Sequence, residues 1–212
     1  MSRDHLDRYY TPAWPTEALL RRLPLREGDT ILEPCAGQGG IARVLERHGH
    51  QVITGDFDPE APVDHHWDWT QAYLHPGRYR ERIDQNIGWI ITNPPYAVAE
   101  AIVRASRGIC PRVAVLLRLT WLEPVSSRQD LLNDLARVIV TPRVSYTGDG
   151  ATDSTGSAWF IWTQARRRRA SSDRTLLDFI PQSERPPRTE RRHRPLGRGQ
   201  DPRQLGLLGG TP

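Results

Sequence analysis

With 212 residues, 37% of them hydrophobic and 25% charged, the chain suffices for one ordinary domain and has the composition of a soluble protein. No apolar run approaches the ~20 residues that cross a bilayer, residues 1–8 lack the apolar stretch of a secretory signal, and two cysteines, Cys35 and Cys110, are too few for a disulfide framework or a structural zinc site. A reducing, cytoplasmic setting is expected. The net charge of +4 is uneven: residues 165–212 hold 12 Arg against 5 acidic residues, a net of +7, which leaves −3 for residues 1–164.

Taken in order, Tyr9-Tyr10-Thr11-Pro12-Ala13-Trp14-Pro15 is an aromatic and proline-rich entry to a helical stretch at 16–20. Residues 30–32 predict a short buried strand and 37–40 a turn. Ile41, Val44, Leu45 and His48 then recur at helical spacing until Gly49 ends the helix. Strands are expected at 51–54 and 88–92, and a helix at 97–108 with Val98, Ile102 and Ala105 on one face. Residues 112–117 are apolar enough for a central parallel strand. Ser127 and Asp130 predict the N-cap and N3 of a helix through 136, and 138–140 and 158–162 the last strands. This alternation predicts an α/β, Rossmann-like fold, a mostly parallel sheet with helices on both faces. The last two strands, with no helix between them, predict a C-terminal antiparallel hairpin. A boundary is expected near Gln164. Beyond it the Arg-, Pro- and Gly-rich segment 165–212 cannot bury enough apolar surface to offset chain entropy. Leu176-Leu177 with Phe179-Ile180 is the one stretch able to dock on the body.

The first strand runs into Glu33-Pro34-Cys35-Ala36-Gly37-Gln38-Gly39-Gly40, where glycines permit a sharp turn and a close backbone approach to a ligand. Asp56 ends the second strand 19 residues after Gly37, placed to accept from ribose hydroxyls, and Phe57 after it can pack on an adenine ring. A nicotinamide dinucleotide would suit this spacing too, but Gly-x-Gly-x-x-Gly fails because its third position is Ala42. Further on, His65-His66-Trp67-Asp68-Trp69 puts two histidines beside Asp64 and Asp68. Adjacent strand residues point oppositely and no further cluster completes a shell, so no metal is expected.

The most informative segment is Asn93-Pro94-Pro95-Tyr96, directly after an apolar strand. Prolines here stiffen an extended turn. An exocyclic amine conjugated with a nucleobase is a poor nucleophile, and an acceptor on each amino hydrogen would free its lone pair. The Asn93 side-chain oxygen and the Pro94 carbonyl supply two acceptors, and Tyr96 can stack on an unstacked base. No covalent nucleophile is needed, so Cys35 reads as a packing residue of the loop.

Together these segments resemble the class I, S-adenosylmethionine-dependent amino-methyltransferases over roughly residues 9–162. They are most similar to the small N6-adenine DNA methyltransferases of phages and prophages. The resemblance implies a seven-stranded sheet and S-adenosyl-L-methionine held by Tyr10, Thr11 and Pro12, by Glu33, Pro34, Cys35, Ala36, Gly37 and Gly39, by Asp56 and Phe57, and by Asp68 and Trp69, with Asn93 alongside. Thr11 would meet the cofactor carboxylate and Asp68 its adenine amino group. Asn93, Pro94, Pro95 and Tyr96 would be catalytic, acting on an adenine flipped out of DNA. Arg118, Trp121, Arg143 and Tyr146 are candidate contacts to phosphate or base. No target-recognition domain is apparent, so specificity is expected to be low, or to come from short loops or a protein partner, with the basic tail adding phosphate contacts. RNA adenine, protein glutamine and a noncatalytic nucleic-acid-binding role remain alternatives.

Overall fold

The computed structural model describes residues 11–83, 86–123, 125–144, 155–163 and 175–187. Eight strands form one sheet: β1 (Thr30–Glu33), β2 (Gln51–Asp56), β3 (His65–His66), β4 (Ile87–Thr92), β5 (Val113–Arg118), β6 (Arg137–Val140), β7 (Ser157–Trp162) and β8 (Leu176–Phe179), in the order β3-β2-β1-β4-β5-β7-β6-β8. The pairs from β3 to β5 are parallel. β7 runs antiparallel between β5 and β6, as the expected hairpin requires. The helices are α1 (Ala13–Leu20), α2 (Ala42–Arg47), α3 (Pro76–Ile83), α4 (Ala99–Ile109) and α5 (Gln129–Asn133).

The strands are apolar on both faces because both are covered. Ile31, Trp89, Ile91, Ala114, Leu116, Trp159 and Ile161 pack with Trp14 and Leu19 of α1, with Leu45 of α2 and with Ile41 just before it. Their chain neighbours Leu32, Ile90, Val113, Val115, Leu117, Phe160 and Trp162 pack on the other side with α3, α4 and α5. Side chains alternate across a strand, so one apolar run feeds two cores. Each large side chain so buried contributes about 1.5–3 kcal/mol. Two of the buried indoles have their polar atom bonded: Trp159 Nε1 donates to Pro15 O at 3.0 Å and Trp162 Nε1 to Leu131 O at 2.9 Å, whereas Trp89 Nε1 is buried with no partner among the described residues. α2 ends as expected at Gly49 (φ 82°), where Gly49 N donates to Glu46 O and His50 N to Leu45 O.

Two expectations are corrected. Ser127 does not cap α5. Its hydroxyl donates to Glu100 Oε2 on α4 (3.1 Å), and residues 126–128 form a 3-10 turn. Asp130 pairs with Arg104 at 2.9 Å, so helix–helix contacts outcompete the local capping geometry. The sheet also does not end at β7. β8, from within the basic C-terminal segment, adds an eighth strand parallel to β6 with Leu177 opposite Val138 and Phe179 opposite Val140. Side chains far back in the chain hold it. Arg137 pairs with Asp178, Arg22 Nη2 with Glu184 Oε1 at 2.5 Å and Arg21 Nη2 with Glu184 Oε2 at 2.5 Å, while Ile180 is buried. Residues 165–174 and 188–212, the rest of the expected tail, lie outside the described residues.

The two arginines pull the Glu184 carboxyl down to about 2 from an ordinary 4.5. A depressed folded-state value means that its stabilisation is complete above pH 4.5 and lost as pH falls toward 2. The melting-temperature gap between wild type and Glu184→Gln should therefore be widest near neutrality and narrow through pH 4 and 3. A gap independent of pH would exclude these ion pairs as its source.

Candidate active site

The strand order reverses between β1 and β4: the chain moves outward through β2 and β3 on one side and through β5 on the other. Loops leaving the carboxyl ends of β1 and β4 therefore diverge and open a crevice at the topological switch point. Glu33, Asp56, Asn93 and Arg118 all lie at or just beyond carboxyl ends of β1, β2, β4 and β5.

After β1 the chain turns through Gly37 (φ 51°) and Gly39 (φ 73°), left-handed conformations that favour glycine. The Asp56 carboxylate fixes this turn, accepting from Gly37 N at 2.7 Å and from Asp58 N at 2.9 Å. A carboxylate has about four acceptor sites, so two remain for a ligand. Phe57, next in the chain, leaves half its surface exposed. Glu33 is buried and accepts from Ala42 N at 2.8 Å. Burial pushes its carboxyl well above the usual range, against the opposing effect of that N–H. Burial, reinforced by the Asp56 charge, also pushes the Cys35 thiol up, which suits a packing role in the loop.

Thr11 packs on this loop and is itself buried. A Cβ on Gly40 would lie 2.7 Å from Thr11 O, so only glycine lets the entry segment approach so closely. The obstacle is backbone and cannot swing aside. Gly40→Ala should therefore cost ~1–3 kcal/mol in denaturant unfolding, and an unchanged unfolding midpoint would show the segment free to retreat. Beyond the loop, the Asn93 carboxamide reaches Thr11: Nδ2 donates to Thr11 Oγ1 at 3.0 Å. Asn93 Oδ1 is buried and has no hydrogen-bond partner among the described residues. Pro95 is extended (φ −56°, ψ 129°), and Tyr96 opens the 3-10 turn that leads into α4. The Arg118 guanidinium lies over the Tyr96 ring, 4.5 Å from its centroid.

Some expected site residues go elsewhere. Trp69 is buried, donates from Nε1 to Ser106 Oγ on α4 (3.0 Å) and meets Tyr79 edge-on, so it is a core residue and not a wall of the crevice. Trp121 likewise turns inward, edge-on to Phe160 and Trp162, with Arg128 over its ring at 5.1 Å. Asp68 caps the turn that follows it, its Oδ1 accepting from Thr70 N and Thr70 Oγ1. Asp64 accepts from Thr54 N at 2.8 Å, and His65 stacks on Trp67 at 4.8 Å. Among the described residues no group of three His, Cys, Asp or Glu side chains is gathered to hold a metal. Arg143 is exposed beyond β6, while Tyr10 and Tyr146 lie outside the described residues. The contacts Thr11–Asn93, Gly40–Thr11 and Arg118–Tyr96 join distant segments, and no local sequence signal announces them.

No protein-family model matches the chain, and no curated protein matches it in sequence. Among solved structures, a modification subunit assigned to a type I restriction enzyme of Vibrio vulnificus YJ016 superposes with a TM-score of 0.52 at 14% identity, over 76% of this chain and 46% of that one. A protein from Pyrococcus horikoshii assigned as an RNA methyltransferase superposes with a TM-score of 0.53 at 12% identity, over 77% of this chain and 88% of that one. The chain thus spans less than half the length of the Vibrio subunit. At these identities the likeness is one of fold: a Rossmann-like class I methyltransferase fold, here with eight strands.

Proposed function

We propose that this protein transfers a methyl group from S-adenosylmethionine to the N6 amino group of adenine in DNA. One observation carries most weight: the buried Asn93 Oδ1 stands without a partner among the described residues at the carboxyl end of β4, beside the switch point. A buried acceptor left unsatisfied costs about 1–3 kcal/mol, and a ligand that completes it at a crevice is one way the cost is recovered. An amino group completes this one. The Pro94 carbonyl takes the second amino hydrogen, and the two acceptors together draw the nitrogen toward tetrahedral geometry. Tyr96, held on one side by Arg118, offers its ring to the extruded base.

The cofactor end fits the same assignment. The Gly37–Gly39 turn brings backbone close to a ligand, Asp56 keeps acceptor capacity for ribose hydroxyls, and half-exposed Phe57 suits an adenine ring. Thr11, Pro12, Glu33, Pro34, Cys35 and Ala36 line the amino-acid end, with Tyr10 before them and Asp68 toward the adenine; Trp69 is not in the set. When bound, S-adenosylmethionine supplies a methyl group on a sulfonium for a single in-line displacement. The chain's own contribution is positioning, worth up to ~7–11 kcal/mol for oriented reactants. Exposed Arg143 and the basic C-terminal residues supply phosphate contacts to the DNA.

Transfer of labelled methyl from S-adenosylmethionine, with DNA, RNA and protein offered side by side and products digested, tests this directly. N6-methyladenine from DNA is expected. Label in RNA or in glutamine would replace the substrate and keep the chemistry, whereas absence of any cofactor binding would overturn the assignment.

A further inference from the structure

Deepening the proposed function, and resting on it, we infer that Thr11 is the positioning residue for Asn93. Its hydroxyl links the cofactor's carboxylate to the carboxamide and thereby sets which side of that amide faces the target base. A carboxamide is nearly symmetric in shape but not in chemistry: turned one way it presents an acceptor, turned the other way two donors. Only the acceptor serves an incoming amine. The prolines after Asn93 stiffen the backbone, yet they do nothing to stop its side chain rotating by half a turn.

Among the described residues one polar contact restrains that rotation. Asn93 Nδ2 donates to Thr11 Oγ1 at 3.0 Å, and Oδ1 is left buried with no partner among the described residues. Thr11 is itself buried, pinned by Gly40, whose missing Cβ makes room for the Thr11 carbonyl. A hydroxyl has one proton and two lone pairs. While its proton is uncommitted, Thr11 can donate to Oδ1 or accept from Nδ2, and either amide orientation is satisfied. Once the proton goes to a cofactor carboxylate, only lone pairs remain, and Nδ2 becomes the sole amide atom that fits. The chain of donors then runs from Asn93 Nδ2 to Thr11 Oγ1 to carboxylate, each bond strengthening the next. Cofactor binding thus turns the Asn93 oxygen toward the base before the base arrives. Thr11 and Asn93 are 82 residues apart in the chain and meet only through the sheet.

The chain has three asparagines, Asn86, Asn93 and Asn133, so asparagine-selective 15N labelling yields three side-chain amide pairs, and Asn93→Ser identifies one of them. The probe is S-adenosylhomocysteine, which carries the same carboxylate and does not turn over. It is expected to shift the Asn93 amide pair and slow its proton exchange in wild type and in Thr11→Ser, but not in Thr11→Val. At saturating cofactor, Thr11→Val should lower kcat about tenfold, the worth of one well-placed hydrogen bond, and Thr11→Ser should restore most of it. An Asn93 amide indifferent to Thr11→Val would overturn the inference. So would a loss confined to cofactor KM with kcat intact, since that is the signature of a plain carboxylate anchor. Wild-type protein that methylates nothing counts against the substrate assignment alone, because the amide resonances are read without turnover.

Discussion

Replacing Asn93 with Ala is expected to lower methyl transfer ~10²–10³-fold, as loss of a single preorganised polar group does elsewhere, while cofactor affinity stays within a few-fold of wild type. The asymmetry follows from geometry. Among the described residues the Asn93 side chain makes one hydrogen bond, to Thr11, and in the proposed reaction its oxygen accepts from the reacting amine. The sign of the stability change is the sharper test. Ala removes a buried oxygen that has no partner among the described residues, an oxygen whose desolvation costs the folded protein about 1–3 kcal/mol. The melting temperature of Asn93→Ala should therefore hold or rise as activity collapses, the trade expected where function maintains a strained or unsatisfied group. A variant that melts early and still methylates would show Asn93 to be structural.

Trp69→Ala is expected to do the reverse. The indole is 2% exposed, bonded to Ser106 and packed against Trp67 (5.1 Å) and Tyr79 (5.4 Å). Truncating so large a buried side chain costs ~3–5 kcal/mol. In a protein of this size that lowers the melting temperature by roughly 10 °C, at about 2–4 °C per kcal/mol. Cofactor affinity, measured well below the new melting point, should be close to wild type. Thermal melts and equilibrium binding on one preparation decide the matter: unchanged stability with weakened binding would return Trp69 to the cofactor site.

The two tryptophans show where sequence stops being informative. Strand apolarity, the Gly-rich turn, Gly49 and the Asn-Pro-Pro-Tyr segment are local signals, set by periodicity and by backbone chemistry at fixed offsets, and the elements they predict appear within a residue or two. Which way an aromatic at a strand end points is decided by what lies across from it. Trp69 faces Ser106 on α4, and Trp121 faces Phe160 and Trp162 on β7. Neither partner is near in the chain, so both residues read equally well as site or core. α3 had no legible signal because only Tyr79 and Ile83 of its eight residues are buried. For β8 the sequence marks only a stretch able to dock. Its side chains at Leu176, Leu177 and Phe179 remain more than half exposed, and its attachment relies on arginines at 21, 22 and 137. Ser127 and Asp130 offered a sound capping pair, yet Glu100 and Arg104 on the neighbouring helix claimed both.

The way the Asn93 amide is anchored has a consequence for which bases the crevice admits. With Nδ2 turned to Thr11, everything the turn offers a base edge is lone pair: the Asn93 oxygen and, in the proposed arrangement, the Pro94 carbonyl. A base carrying a keto oxygen where adenine has its amine would set oxygen against oxygen, with no proton to share between them. Guanine and thymine are then refused by repulsion, not merely for want of a favourable contact, and so is hypoxanthine, which differs from adenine at that position by deamination. A site built to hydrogen-bond one substrate group discriminates strongly against analogues that lack it. Under the proposed function a deaminated adenine in the target would thus escape methylation altogether, and the turn after β4 would double as a filter on the chemical integrity of the base.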